Sequence, residues 1–433
     1  MIRATGLTLA AVLCLGAAAP ESRLEEYFRL RKEAGAAANG GDLARAEVLL
    51  ERALFLYPTA PGSFIRLARL EAAAGKPHEA VAHLASYANL GLTWDVAGDK
   101  ALATLAGRDD FALVAARLAA NAKPVGNPTL VAELPEAGPI YEGLARRADD
   151  WLISSVTDRT IYRIDGKGRS PFLVDTPLTG GIFGLAVDGG TVWAAEASGP
   201  EIPGSQGPAR TALLRIDGRT GVILDRYPLP DDGKPHQLGD VTVATDGAVY
   251  ASDSVGAGIW RLKPGSKLLE PILHSKDLGS PQGMVVCEAA DALLIADYPT
   301  GLHRLDLKSG KLEPVGGMKV ALAGTDGLFR VGYEHSRRNA KPQPLAVVAT
   351  QNGVTPARLV MLRISPDCRR IEAATVMAAN HEGLDDLTLG ADDAGRVAVI
   401  AGSGWTGYGP DGKQTPGATP KAARILAFPY PAD

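Results

Sequence analysis

Cysteine is nearly missing from this chain. Three occur in 433 residues, Cys14, Cys287 and Cys368, too few for a fold held together by disulfides. Cys287 and Cys368 lack metal-type spacing and are read as buried free thiols. Neither sign of charge dominates. Forty-five Lys and Arg against 49 Asp and Glu leave a formal charge of −4, without the basic excess that nucleic acid or an anionic membrane would select. No apolar run is long enough to span a bilayer. Several chemistries are excluded in the same way. There is no Gly-x-Ser-x-Gly elbow, since Gly402-Ser403-Gly404 lacks the spacing, so a hydrolase triad is not expected. His381-Glu382 has no second histidine four residues on, which rules out a zinc helix of that type. No glycine-rich loop leads into a helix as phosphate binding requires. Aromatics are scarce at 6%, whereas 50 glycines and 30 prolines point to many turns between short strands.

Four segments follow from the patterning. Residues 1–19 read as an export signal: Arg3, an apolar stretch from Leu7 to Leu15, and Ala17-Ala18-Ala19 before cleavage. Leu13 occupies the place where a lipoprotein signal carries a small residue. Residues 21–122 show helical spacing. Gly41-Asp42 and Gly75-Lys76 each open a helix, as do Ala46 and Ala80 further in, at an offset of 34 residues. That period resembles a tetratricopeptide repeat, here about two units and a closing helix at Asp109–Ala119. So few repeats are expected to dock on the rest of the chain, either as a structural appendage or as a peptide-binding groove for a protein partner. His78 and His83, five apart, are read as surface residues. Residues 123–138 are a linker rich in Pro and Gly, ending in a strand-like stretch at Thr129–Leu134.

From 139 to 433 the period becomes that of short strands. One pattern begins six times, at Glu142-Gly143, Phe183-Gly184, Gly239-Asp240, Gln282-Gly283, Asp326-Gly327 and Asp385-Asp386. The intervals are 41, 56, 43, 44 and 59 residues. Each start is followed by an apolar second strand and a third of the flavour Ile-Tyr-Arg-Ile-Asp165, Leu-Leu-Arg-Ile-Asp217 or Leu-His-Arg-Leu-Asp306. The expected fold class is therefore mainly β, a six-bladed β-propeller preceded by a small helical domain. The last blade runs out of chain after Tyr430, and Thr129–Leu134 is expected to supply its outer strand, leaving no open edge.

The blade starts also resemble a known family. Glu-Gly-Leu-Ala145, Gly239-Asp240-Val-Thr-Val243, Pro281-Gln282-Gly283-Met284 and Thr325-Asp326-Gly327-Leu328 are together similar to the senescence-marker-protein/gluconolactonase propellers. The resemblance implies a divalent metal ion, calcium by donor type, held by Glu142, Gln282 and Asp326, with Asp326 as general base in hydrolysis of a lactone or related ester. Asp240, Asp385 and Trp405 are the expected substrate contacts, Trp405 being open to a rim-packing role as well. Two positions depart from the family: Gln282 stands where it has Asn, and Gly239 replaces an Asn before Asp240. The long loops Ser198–Ala209 and Thr406–Lys421 are expected to rise over the same mouth as a collar. The insertion Tyr333–Pro344, with Arg337 and Arg338, should hang from the other face. His236 is the one histidine expected near the mouth. The alternative reading is a non-catalytic propeller that binds a ligand or a protein, the helices recruiting the partner.

Overall fold

The computed structural model describes residues 20–174, 178, 180–202, 211–332, 344–409, 411–419 and 421–431. Residues 1–19, read as an export signal, residues 203–210 of the blade 2 loop and residues 333–343 of the blade 5 insertion lie outside the described residues. So do Arg337 and Arg338.

Six blades surround one axis, five of them four-stranded and antiparallel, while blade 5 carries a fifth, two-residue strand, Gly316–Gly317, paired parallel on its outer edge. Their inner strands are Tyr141–Arg146, Gly181–Asp188, Leu238–Val243, Pro281–Cys287, Thr325–Arg330 and Gly390–Asp392. The second strands are flanked on both faces, so they read as apolar runs and not as alternating ones. Trp151–Ser155 and Val249–Asp253 are buried throughout, as is Ala292–Asp297. An apolar cluster fills the gap between each pair of neighbouring blades. Ile153, Ile164, Ala398 and Ile425, for example, sit between blades 6 and 1. Closure is as expected. Thr129–Ala137 pairs antiparallel with Ala422–Pro429 as the outer strand of blade 6, and Leu134 is 1% exposed against that cluster.

The helical segment comprises α1 (Arg23–Asn39), α2 (Leu43–Leu56), α3 (Pro61–Ala73), α4 (Pro77–Asn89) and α5 (Asp109–Asn121). The 34-residue offset marks two helical hairpins, each turned by a glycine of positive φ, Gly41 at +82° and Gly75 at +72°. The following N–H of Asp42 and of Lys76 bonds back to Ala37 O and Glu71 O at 2.9 and 2.8 Å, which satisfies carbonyls the helix end would orphan. Among the described residues no helix is long and apolar enough to cross a membrane.

Two expectations need correction. Cys287 and Cys368 form a disulfide, with Cα atoms 6.5 Å apart. Cys287 ends the inner strand of blade 4, and Cys368 lies in the turn between the third and fourth strands of blade 5. Propeller closure brings these two ends to one edge, a proximity that 81 residues of separation conceal. His83 is not a surface residue either. Its face of α4 turns toward α3, and Nδ1 meets Glu71 Oε2 at 2.8 Å, which raises the imidazole pKa. His78 is exposed as expected.

Candidate functional site

The inner strands all begin on one face, and in blades 1 to 5 a bulge at the start turns one residue toward the axis. The register slips by one residue between Tyr141 and Leu144, Ile182 and Leu185, Leu238 and Val241, Pro281 and Met284, and Thr325 and Gly327. The hydroxyl of the second strand takes up the freed N–H: Ser154 Oγ accepts from Gly143 N at 2.7 Å, Ser252 Oγ from Asp240 N at 3.0 Å, and Thr350 Oγ1 from Gly327 N at 2.7 Å. A bulge of this kind re-aims a side chain. Here it aims Glu142, Phe183, Gln282 and Asp326 inward, with Gly239 in the corresponding place.

Glu142 and Asp326 are 7% and 8% exposed. Burial raises the pKa of Glu142 well above the usual carboxylate range, and the charges of Asp326, Asp240 and Asp386 raise it further. Asp326 is raised by burial too, with Asp386 adding to it, while Asn352 pulls it back. Each carboxylate has one oxygen in a neutral hydrogen bond. Trp405 Nε1 donates to Glu142 Oε2, and Asn352 Nδ2 donates to Asp326 Oδ2 at 2.8 Å. Among the described residues no cation reaches either group at ion-pair distance.

The remaining expected residues divide. Gln282 donates from Nε2 to Ser280 Oγ at 2.9 Å, so its Oε1 points the other way, to 3.5 Å from where a Cβ on Gly239 would stand. Trp405 is at the site and does two things: it bonds Glu142, and its ring lies 6.4 Å from that of Phe183 at 32°. Asp240 is buried one layer below, where it lines the top of a cavity of about 470 Å³ that follows the inner strands toward Arg146, Asp188 and Glu288 on the far face. Burial pushes its carboxyl up to about 7, offset in part by backbone bonds from Val241 and Met284. Asp385 does not face the axis. It turns outward to Lys421 Nζ at 2.6 Å, because Asp386 takes a left-handed φ of +50° and occupies the inward place instead. There Asp386 accepts the N–H of Gly404 at 2.8 Å.

The collar loops are as expected where described. Gly412 of one packs on the Pro200–Glu201 peptide of the other, so closely that a Cβ would lie 2.1 Å from Pro200 C. His236 stands at the rim between Asp253 and Asp232, with Trp260 also bonding Asp253 at 3.3 Å.

Inspection of the inner strands alone missed Asn352 and Tyr298. Tyr298 OH donates to Asn352 Oδ1 at 3.0 Å, and Asn352 also donates to Leu387 O at 2.7 Å. The signal was present one strand outward. The second strands of blades 1 to 5 carry a buried polar residue at their last position or one before it, Ser155, Glu196, Asp253, Asp297 and Gln351, and four of these anchor the incoming loop. Asp297, for instance, accepts from Gly279 N and Ser280 N, both at 2.8 Å. The residue after that anchor faces the mouth in blades 4 and 5.

As oxygen donors, Glu142, Asp326 and the Gln282 amide are of the kind a hard divalent cation takes. Among the described residues, no three His, Cys, Asp or Glu side chains are grouped to hold an ion, so a cation here would draw on two carboxylates and the amide.

No protein-family model and no curated protein matches the chain. Solved structures of similar shape include the calcium-binding protein regucalcin from Agrobacterium tumefaciens, 14% identical, with a TM-score of 0.45 over 69% of this chain and 93% of that one. A luciferin-regenerating enzyme is 11% identical, TM-score 0.44, over 71% and 95%. The PQQ-bound aldose sugar dehydrogenase of Streptomyces coelicolor is 15% identical, TM-score 0.42, over 70% and 98%.

Proposed function

We propose that the chain is an exported, metal-dependent hydrolase of a neutral lactone or related ester, acting at the axial mouth. The observation that carries this reading is the pair Glu142 and Asp326. Two buried carboxylates face one axis with no cation among the described residues to balance them, each with one oxygen held by a neutral donor and the other left over. Like charges in such a place call for a divalent counter-ion. Glu142, Gln282 and Asp326 would hold it, calcium by donor type, and it would supply Lewis-acid polarisation of an acyl carbonyl.

The chain's own residues supply the rest. Asp326, with its pKa raised toward neutrality, is suited to take a proton from water at its free oxygen as that water adds to the acyl carbon. The ring C–O bond then breaks, and the same proton passes to the departing alkoxide, leaving a hydroxy acid. Asn352 holds the other Asp326 oxygen and so orients the carboxylate. Phe183 and Trp405 form an apolar wall on the opposite side, and the collar loops exclude water. Four acidic side chains around the mouth disfavour an anionic substrate. Export belongs to the same reading and is supported by residues 1–19 and by the Cys287–Cys368 disulfide, a bond that persists in oxidising compartments.

The test is elemental analysis of the purified protein together with a lactone panel. One divalent ion per chain, lost in Glu142→Ala, and turnover abolished in Asp326→Asn are expected. Full turnover in Asp326→Asn would overturn the reading.

A second reading, a protein-binding role for the tetratricopeptide-like helices, is favoured by an apolar hollow of about 620 Å³ lined by Leu54, Phe55, Pro58, Phe64 and Leu90. Phe55 beside it is 70% exposed. A partner retained by wild type and lost in Phe55→Glu is the expected result. Retention by both proteins would sink this reading.

A further inference from the structure

The helices do not hang from the far side of the propeller. In an antiparallel blade, the turn between second and third strands and the crossover to the next blade both lie on the face where inner strands begin. Among the described residues, the bonds between the helices and the propeller fall on such segments or on the strand end beside them. Ser22 Oγ donates to Lys276 O at 3.0 Å, Arg23 N to Asp277 Oδ1 at 2.9 Å, and Thr93 N to Thr355 O at 2.9 Å. Asn380 Nδ2 donates to Asn121 O at 2.9 Å. Ala321 belongs to the core of the helical segment itself, and Val354 packs against that core. The helices therefore cover the mouth face over blades 4 and 5, on the side of the axis away from blade 1, which the collar loops of blades 2 and 6 flank.

One buried cation joins the two parts. Arg358, the first residue of the third strand of blade 5, is 1% exposed. Its Nη1 donates to Leu90 O at 2.9 Å and Gly91 O at 3.3 Å, just past the end of α4. Nη2 donates to Ala321 O at 3.1 Å, and Nε to Gln351 Oε1 at 2.8 Å. All four acceptors are neutral. A buried guanidinium without a carboxylate partner is tolerable only when its donors are satisfied, and two of its four acceptors are carbonyls at a helix C-terminus, where a cation is favoured. Without the helices this arginine could not stay where it is.

From Arg358 the connection runs to the axis. Gln351 is its cross-strand partner and spends its amide on Ala321 O and Ala323 O, both at 3.0 Å. The next residue is Asn352, which bonds Asp326. The turn that Asn352 opens is held at Val354 and Thr355 by the helices and at its base by Gln351 and Arg358. We propose that the helical segment is a positioning element of the axial site, fixing the Asp326 carboxylate through Arg358, Gln351 and Asn352. Its functional meaning rests on the hydrolase reading above, though the physical connection does not.

The experiment uses the full chain labelled with 15N-asparagine. The side-chain amide of Asn352 is assigned by its disappearance in Asn352→Ala. Two perturbations are made at the far end of the connection. In Gly91→Ala the new Cβ would stand 3.2 Å from Arg358 Nη1 at a φ of +74°. In Arg358→Lys the fork that spans four acceptors is lost. Gly91 lies in a half-buried turn, so Gly91→Ala carries the test even where Arg358→Lys fails to fold. The expected result is that the Asn352 amide resonance moves by several line widths in both variants while that of Asn39, remote in α1, stays put. With lactone substrate, kcat should fall roughly tenfold at little change in KM, as for a misplaced catalytic group. An unmoved Asn352 resonance in folded Gly91→Ala overturns the inference, whatever the activity. A moved resonance in a protein that turns over no lactone supports the connection and counts against the hydrolase reading alone.

Discussion

Asp240→Asn isolates the electrostatics of the axial cluster. Burial holds the Asp240 carboxyl at about 7 in the folded protein, against an ordinary value of 3.8. The unfolded chain thus gives up its proton near pH 4 and the folded chain near pH 7. Between these values the folded state binds more protons, so stability is fully present below about pH 4 and is lost as the pH rises through 7. Some three pKa units at ~1.4 kcal/mol each put the cost at ~4 kcal/mol at pH 8 and below ~2 kcal/mol at pH 5. Asparagine keeps the shape and never ionises. Any loss of fit at the Val241 and Met284 N–H groups is the same at both pH values and cancels from the comparison. The variant should therefore gain about 2–3 kcal/mol on wild type between pH 5 and pH 8, read by urea unfolding in the presence of chelator. Excess calcium should close that gap at pH 8, because a cation at the neighbouring carboxylates stabilises the ionised form. A difference between the two proteins that is independent of pH would refute the argument, since it would mean that Asp240 is not a buried ionisable group.

Three further outcomes can be checked by the same unfolding method. Replacing both Cys287 and Cys368 by Ser should cost ~4 kcal/mol, the loop-closure value for a bridge across 81 residues; unchanged stability in oxidised protein would mean that the bridge does not form. Leu134→Ala should cost about 3 kcal/mol as a core truncation, if Thr129–Ala137 is packed into the closing blade, and a loss near zero would place that strand elsewhere in solution. His303 is held down to about 4 by burial, so its unfolded form takes up a proton that the folded form resists. Stability is then lost as pH falls from about 6.5 to 4, by ~3 kcal/mol in all. His303→Gln should flatten that slope, and an unchanged slope would count against the assignment.

The architecture was legible because it is written at short range. Blade number, strand order and the closing strand follow from alternation within five to ten residues and from recurrence of the same phrases. The site was legible in part. Glu142, Gln282 and Asp326 could be placed at the axis because each opens an inner strand, and the bulges there turn them inward. Asp385 was chosen over Asp386 because blade starts were aligned by residue type, whereas the left-handed φ at Asp386 shifts the inward position by one. Asn352 and Tyr298 escaped because they follow the ends of second strands, whereas the blade pattern is read from the starts of inner ones, and because the bonds from Asn352 to Tyr298 and Leu387 cross between blades. The disulfide was hidden for the same reason, and so was the face on which the helices dock. What a repeat encodes is the blade; what lies between blades is set by closure.

The two departures from the expected family pattern, Gly239 and Gln282, are physically one change. A side chain at 239 would project toward Gln282 Oε1, Ser252 Oγ and Ser254 Cβ, all within 3.5–3.7 Å of its Cβ. These are ordinary contact distances, so the longer amide at 282, anchored through Ser280, is the neighbour on which such a side chain would pack. Gln282 thus reaches over blade 3 from blade 4 and brings a carbonyl oxygen beside the place that a residue at 239 would have filled. One amide stands beside the ground that the expected pattern gives to a second. The missing polar group at 239 therefore does not by itself argue for an inert axis. It argues for a mouth with one fewer side chain and more open space on the side of blade 3, facing the aromatic wall of Phe183 and Trp405. On the proposed hydrolase reading, a substrate bound there would gain room beside Gln282 and keep its carbonyl near Asp326, so the departure would bear on which ester fits.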